Sequence, residues 1–267
     1  MNLLFIGDIV GKPGRRIVLN DLPALRREYV IDIVIANAEN AAAGFGVTEK
    51  TAKALLNGGV DVLTNGNHAW DKREALEYIE REPRLMRPWN YPEGTPGKGW
   101  YLATTATGIR VGVLNVMGQV FVHPSLDCPF RAVDEALARH ADEADVILLD
   151  FHAEVTSEKM AMGWYMDGRV SAVVGTHTHV PTADERILPG GTAYITDVGM
   201  TGCYDSVIGM NHTKSLKRFV QKLPERAEVA EGAASLCAVL VDIDETTGHA
   251  RRIERIRLNE PPHKAGS

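Results

Sequence analysis

Val170-Ser171-Ala172-Val173-Val174 runs directly into Gly175-Thr176-His177-Thr178-His179. The first five residues read as a buried strand, and in an extended segment residues i and i+2 point to the same side. The two imidazoles are therefore expected to face one point in space. Paired nitrogen donors suit a transition metal better than they suit packing alone.

Four further apolar runs end in residues of ligand type. Leu3 to Ile6 leads to Gly7-Asp8, Ile31 to Ala36 leads to Asn37-Ala38-Glu39-Asn40, and Val60 to Leu63 leads to Thr64-Asn65-Gly66-Asn67-His68. Asp145 to Asp150 leads to Phe151-His152. In α/β sheets ligands gather beyond the carboxyl ends of the strands. Asp8, Glu39, Asn40, Asn67, His152, His177 and His179 are thus expected to converge, and a dinuclear metal centre best accounts for so many coincidences. Imidazole, carboxylate and amide donors without a thiolate point to iron, manganese, zinc or nickel. Two ions per chain are the expectation, and the donors alone do not choose between these metals. Glu39 is expected to bridge them, because two cations so close need anionic charge between them.

Each residue also has a simpler reading on its own. Asp8 could be a helix N-cap, Asn67 a turn residue, Glu39 a surface carboxylate. His68 differs from the rest: as a neighbour of Asn67 it is expected to diverge from the metals toward a substrate, where histidine suits protonation of a leaving oxygen. Its alternative is a supporting or core histidine.

The order of elements gives the class. The first strands alternate with helices (13–29 and 49–56, then one ending near Ile79), which argues for parallel strands joined by right-handed crossovers, an α/β fold. Pro23 is expected to split 13–29 into two helical pieces, with Asp21 capping the second. Thr48 is the expected N-cap of the next helix. Residues 83–100, with Pro83, Pro88, Pro92, Pro96, Trp89, Tyr91 and Trp100, read as a long loop, either packed on the surface or offering aromatic faces to a base. Later strands are expected at 108–115, 233–241 and 251–257, with a hairpin at 186–195 and a helix ending near His140. Residues 212–222 read as a basic helix with a solvated face. The tail from Pro261 reads as loose, and nothing splits the 267 residues into more than one domain.

Composition excludes several classes. A formal charge of −6 argues against a nucleic-acid-coating surface, although bound cations would give an anion positive ground locally. Cys128, Cys203 and Cys237 are odd in number and scattered, so neither a disulfide framework nor a cysteine zinc site is indicated. No run approaches the roughly 18 apolar residues of a membrane helix, and the N-terminal run is too short for a signal segment. A cytoplasmic protein is expected.

Taken together, Gly7-Asp8, Gly66-Asn67-His68, His152 and Gly175-Thr176-His177-Thr178-His179 resemble, in order and spacing, the calcineurin-like metallophosphoesterases over roughly residues 3–200. Most of that superfamily has Asp-x-His first, where this chain has Asp8-Ile9-Val10, and Gly-Asp where it has Asn37-Ala38-Glu39-Asn40. These departures, with Thr196 to Gly202, resemble the YmdB-like branch, phosphodiesterases of cyclic nucleotides including 2',3'-cyclic ones. The resemblance implies a four-layer α/β/β/α sandwich of the metallophosphoesterase type. It also implies one ion on Asp8, Glu39, Asn40 and His179, the other on Glu39, Asn67, His152 and His177, and His68 as proton donor. The expected reaction is in-line attack on phosphorus by a hydroxide shared between the ions. The expected partner is a small cyclic nucleotide, 2',3'-cyclic or also 3',5'-cyclic, with no membrane and no stable nucleic-acid binding. Homo-oligomerisation is left open. A metal-bound regulatory or RNA-binding module and a phosphomonoesterase are the alternatives.

Overall fold

The computed structural model describes residues 1–261. In chain order the elements are β1 (Asn2–Ile6), β2 (Asp8–Ile9), α1 (Gly11–Glu28), β3 (Ile33–Asn37), α2 (Glu49–Asn57), β4 (Val62–Thr64) and α3 (Glu74–Arg81). There follow β5 (Trp100–Thr104), β6 (Arg110–Met117), α4 (Pro129–His140), β7 (Val146–His152), α5 (Thr156–Met166) and β8 (Ala172–Thr176). Last come β9 (Arg186–Ile187), β10 (Ala193–Ile195), β11 (Met200–Cys203), α6 (His212–Gln221), β12 (Ala234–Ile243) and β13 (Ala250–Asn259).

Two sheets result. One runs β2-β11-β12-β1-β3-β4, with β13 on β12, and the other β5-β6-β7-β8-β10-β9. Strands β1, β3 and β4 are mutually parallel, as are β6, β7, β8 and β10. Their uninterrupted apolar runs reflect burial on both faces. Leu3, Phe5, Ile33 and Ile35 pack between the sheets against Val113, Leu148 and Val174. The alternating Leu4, Ile6, Val34 and Ala36 meet Ile17, Val18 and Leu22 of α1 and Leu55 of α2. On the far side Leu149, Phe151 and Val173 meet Val133 of α4 and Met162 of α5. The layers are therefore α/β/β/α, as the family resemblance implies. No helix among the described residues is long and apolar enough to cross a membrane.

Local expectations fare unevenly. Thr48 caps α2 as expected, and reciprocal bonds with Thr51 close a capping box. Pro23, however, does not split the first helix: α1 is continuous over 18 residues. A proline inside a helix costs one hydrogen bond and a clash, but the buried Ile17, Val18, Leu22 and Leu25 hold both halves against the same sheet. Strand β5 occupies the end of what reads as loop, because Trp100 finds a partner strand in β6. Trp89 and Trp100 pack around His140, at ring distances of 5.5 and 5.2 Å, so they belong to a packed surface excursion. Apart from Pro261 itself, the tail expected to be loose lies outside the described residues.

Candidate metal centre

The ligand-type residues meet where the carboxyl ends of both sheets adjoin. Glu39 and Asn40 follow β3, Asn67 and His68 follow β4, His152 ends β7, and His177 follows β8. Asp8, Glu39, Asn40, His152 and His179 are all buried. Close approach of the turns needs glycine. A Cβ on Gly66 would lie 2.2 Å from the His152 ring, and one on Gly7 would lie 2.0 Å from the Gly199 carbonyl oxygen.

One group of donors centres on His152. Its Nε2 lies 2.9 Å from Asn67 Oδ1, 3.0 Å from His177 Nδ1 and 3.2 Å from Glu39 Oε1. Ligand atoms of Glu39, His152 and His177 all fall within 4.8 Å of one another. The surrounding hydrogen bonds fix which nitrogen faces them. The Thr176 hydroxyl donates to Asp150 Oδ1 at 2.7 Å, so it can only accept from His152 Nδ1, at 2.9 Å. Nδ1 therefore carries a proton, and Nε2 is left to offer its lone pair. His177 is arranged the opposite way, with Nε2 3.1 Å from Glu154 Oε2 and Nδ1 toward the cluster.

A second group lies beside it. Asp8 Oδ1 is buried without a hydrogen-bond partner and stands 3.9 Å from His179 Nε2. His179 donates Nδ1–H to the Ile208 carbonyl at 2.8 Å, which again leaves Nε2 for the cluster. The Asn40 amide group is 3.1 Å from that nitrogen and 3.2 Å from Glu39 Oε1. Glu39 thus touches both groups.

The electrostatics call for positive charge. Burial would raise the Glu39 pKa, but the charge and hydrogen bond of His152, with His68 beside it, bring it down to about 2. Burial would likewise strip the second proton from His152, yet Glu39 and Asp8 hold its pKa up to about 9. Without a cation Nε2 therefore keeps a proton whose place a bound cation would take, freeing the lone pair. Burial pushes the Asp8 carboxyl up, and it takes Asp150 to about 7. Burial and the neighbouring His152 lower His177 to about 3, so its ring is a neutral donor. Buried carboxylates, an orphaned oxygen and imidazole lone pairs aimed at common points fit bound cations of the kind the donor set suits.

His68 stands beside these groups. Its backbone N–H donates to Glu39 Oε2 at 3.0 Å, its Nδ1 lies 2.8 Å from Asp71 Oδ2, and its ring meets Phe45 edge-on at 5.0 Å. With Nδ1 engaged, Nε2 is the nitrogen left for the cleft of about 590 Å³ that His68 lines.

One premise of the sequence reading is wrong. His177 and His179 do not lie on an extended segment: β8 stops at Thr176, and their φ angles are +104° and +65°. The turn sends His177 to His152 and His179 to Asp8 and Asn40. Such backbone is unfavourable for non-glycine residues and must be held from outside. Asp197 does so, accepting from Thr178 N–H at 3.2 Å and Thr178 hydroxyl at 2.8 Å. Sequence reasoning missed Asp197, its buried partner Lys159, and the Asp150–Thr176 pair. A buried aspartate at the end of a strongly apolar strand was the signal available for Asp150.

The fold and this constellation define a metallophosphoesterase. More narrowly, the chain belongs to the YmdB-like protein family, whose model matches residues 4–256. It is 53% identical to the 2',3'-cyclic-nucleotide 2'-phosphodiesterase of Bacillus subtilis over 97% of this chain and 98% of that one. A hypothetical protein from Thermus thermophilus superposes with a TM-score of 0.92 at 46% identity, covering 98% of this chain and 100% of that one. A phosphatase from Mycoplasma pneumoniae superposes with 0.91 at 37% identity, covering 97% and 93%.

Proposed function

We propose that this phosphoesterase is a metal-dependent phosphodiesterase that opens 2',3'-cyclic nucleotides. The observation that carries the metal is the convergence of Asn67 Oδ1, His177 Nδ1 and Glu39 Oε1 on His152 Nε2. The substrate rests on the likeness to the Bacillus subtilis enzyme. Glu39, Asn67, His152 and His177 would hold one ion and Asp8, Glu39, Asn40 and His179 a second, iron or manganese. Bound there, divalent cations supply Lewis-acid charge for the phosphoryl oxygens and make water acidic enough to attack near neutral pH.

The chain's own residues do the rest. Asp150 and Thr176 hold the His152 ring, Asp197 holds the turn between His177 and His179, and Asp71 orients His68. A water oxygen bonds to phosphorus, one phosphorus–ribose oxygen bond breaks, and His68 Nε2–H protonates the departing oxygen, leaving a phosphomonoester. The test is hydrolysis of 2',3'-cyclic AMP and of a phosphomonoester by Mn²⁺-loaded protein, with His68→Ala alongside. Diester cleavage that falls about 10²–10⁴-fold in the variant is expected. Faster turnover of the monoester, or a variant as active as wild type, refutes the reading. Opening of 3',5'-cyclic AMP by the same protein extends the substrate range.

A further inference from the structure

The cleft continues beyond the groups used above. One wall is α6, where Asn211, Lys214, Ser215, Arg218 and Phe219 line it at i, i+3, i+4, i+7 and i+8, a single helical face. This helix buries no residue, and Phe219 is 64% exposed. The basic residues of 212–222, expected to be one solvated face, are divided. Lys214 pairs with Glu228 and Lys217 with Glu225, so the carboxylates of this wall are already neutralised. Arg218, and Arg226 on the same wall, have no acidic partner among the described residues.

On a protein of net charge −6, two unpaired guanidiniums beside an exposed aromatic face, in a cleft that leads to a phosphate-ester site, complement a particular chemistry. Alternating stackable bases and anionic phosphates match it. A second copy of this chain would bring its own net negative charge to the same place. The dimensions agree. The segment before α6 is tied to the centre through the Ile208 carbonyl, which accepts from His179. From Asn211 to Phe219 the helix rises about 12 Å at roughly 1.5 Å per residue. Stacked nucleotides rise about 3.4 Å each, so two or three more fit along it.

We propose that this wall is a subsite for the nucleotides preceding a terminal 2',3'-cyclic phosphate, so that the substrate class extends to short single-stranded oligoribonucleotide ends. Phe219 stacks on a base, and Arg218 and Arg226 take the backbone phosphates. The proposal rests on the phosphodiesterase reading. It differs from stable nucleic-acid binding, since only an end whose phosphate reaches the centre is engaged.

The test compares 2',3'-cyclic AMP with a tetra-adenylate ending in a 2',3'-cyclic phosphate, using Mn²⁺-loaded wild type, Phe219→Ala and Arg218→Ala. Binding of a fluorescent tetra-adenylate ending in a 3'-phosphate is read separately by anisotropy. Wild type should favour the oligonucleotide in kcat/KM by about tenfold. Each variant should lose about tenfold on it, through KM, with matching weakening of binding and no change on the mononucleotide. The Arg218→Ala loss should shrink at high salt. If wild type opens the mononucleotide without preferring the oligonucleotide, or the variants affect both alike, the subsite is wrong and the phosphodiesterase reading stands. If wild type opens neither, both fall.

Discussion

Lys159 Nζ lies 2.6 Å from Asp197 Oδ2 with each side chain only 1% exposed, and that same carboxylate oxygen accepts from Thr178, the residue between the two histidines of the turn. A second bond, from Gly199 N–H to Asp197 Oδ1 at 2.8 Å, fixes the other half of the carboxylate. The ion pair therefore sits under the candidate centre as its mount. Removing one partner of a buried pair leaves the other charge uncompensated, at a cost of about 3–5 kcal/mol. Asp197→Ala should lose that much in urea denaturation and also bind Mn²⁺ more weakly. A loss below about 1 kcal/mol would show that the pair does not hold the turn.

Thr176→Val tests the hydrogen-bond relay to His152 with little change in shape. The variant keeps the strand but loses the hydroxyl that links Asp150 to His152 Nδ1. Outer partners of metal-ligating histidines typically contribute 10–100-fold in affinity, so a fall of about that size is expected in a Mn²⁺ titration. Unchanged affinity would mean that His152 needs no help in presenting Nε2.

Gly66→Ala places a methyl carbon 2.2 Å from the His152 ring, a contact that something must move to relieve. Since His152 is wholly buried, the ring has no free space to enter. The expected result is a stability loss of about 1–3 kcal/mol together with impaired metal loading. Full metal loading with native stability would count against the close packing of the Asn67 turn on His152.

The strand ends were legible because a single donor residue after an apolar run is a local signal, and Asp8, Glu39, Asn67, His152 and His177 each have one. The backbone of the His177–His179 turn was not, because the group that holds it, Asp197, is remote in sequence and reaches it only through the fold. The same applies to Asp150, whose partners Thr64 and Thr176 come from strands of different sheets. Strand β5 was hidden by prolines and glycines before it and by its position at a sheet edge. In α1 the local propensity of proline is overridden by packing.

That override gives a stability prediction. Pro23 is exposed and inside α1, where proline is about 3 kcal/mol less favourable than alanine. Part of this is returned because proline restricts the unfolded chain by about 0.4–1 kcal/mol. Pro23→Ala should therefore stabilise the protein by about 2 kcal/mol in urea denaturation without altering metal binding. A destabilised variant would show that Pro23 is needed for how α1 lies on the sheet.

The most direct test of the whole account is the number of ions the chain holds. Protein stripped with chelator, titrated with Mn²⁺ and analysed for bound metal should take up two ions per chain, and Glu39→Gln, altering a carboxylate that touches both groups of donors, should weaken both. Uptake of one ion or none by the wild type would contradict a centre built on Glu39.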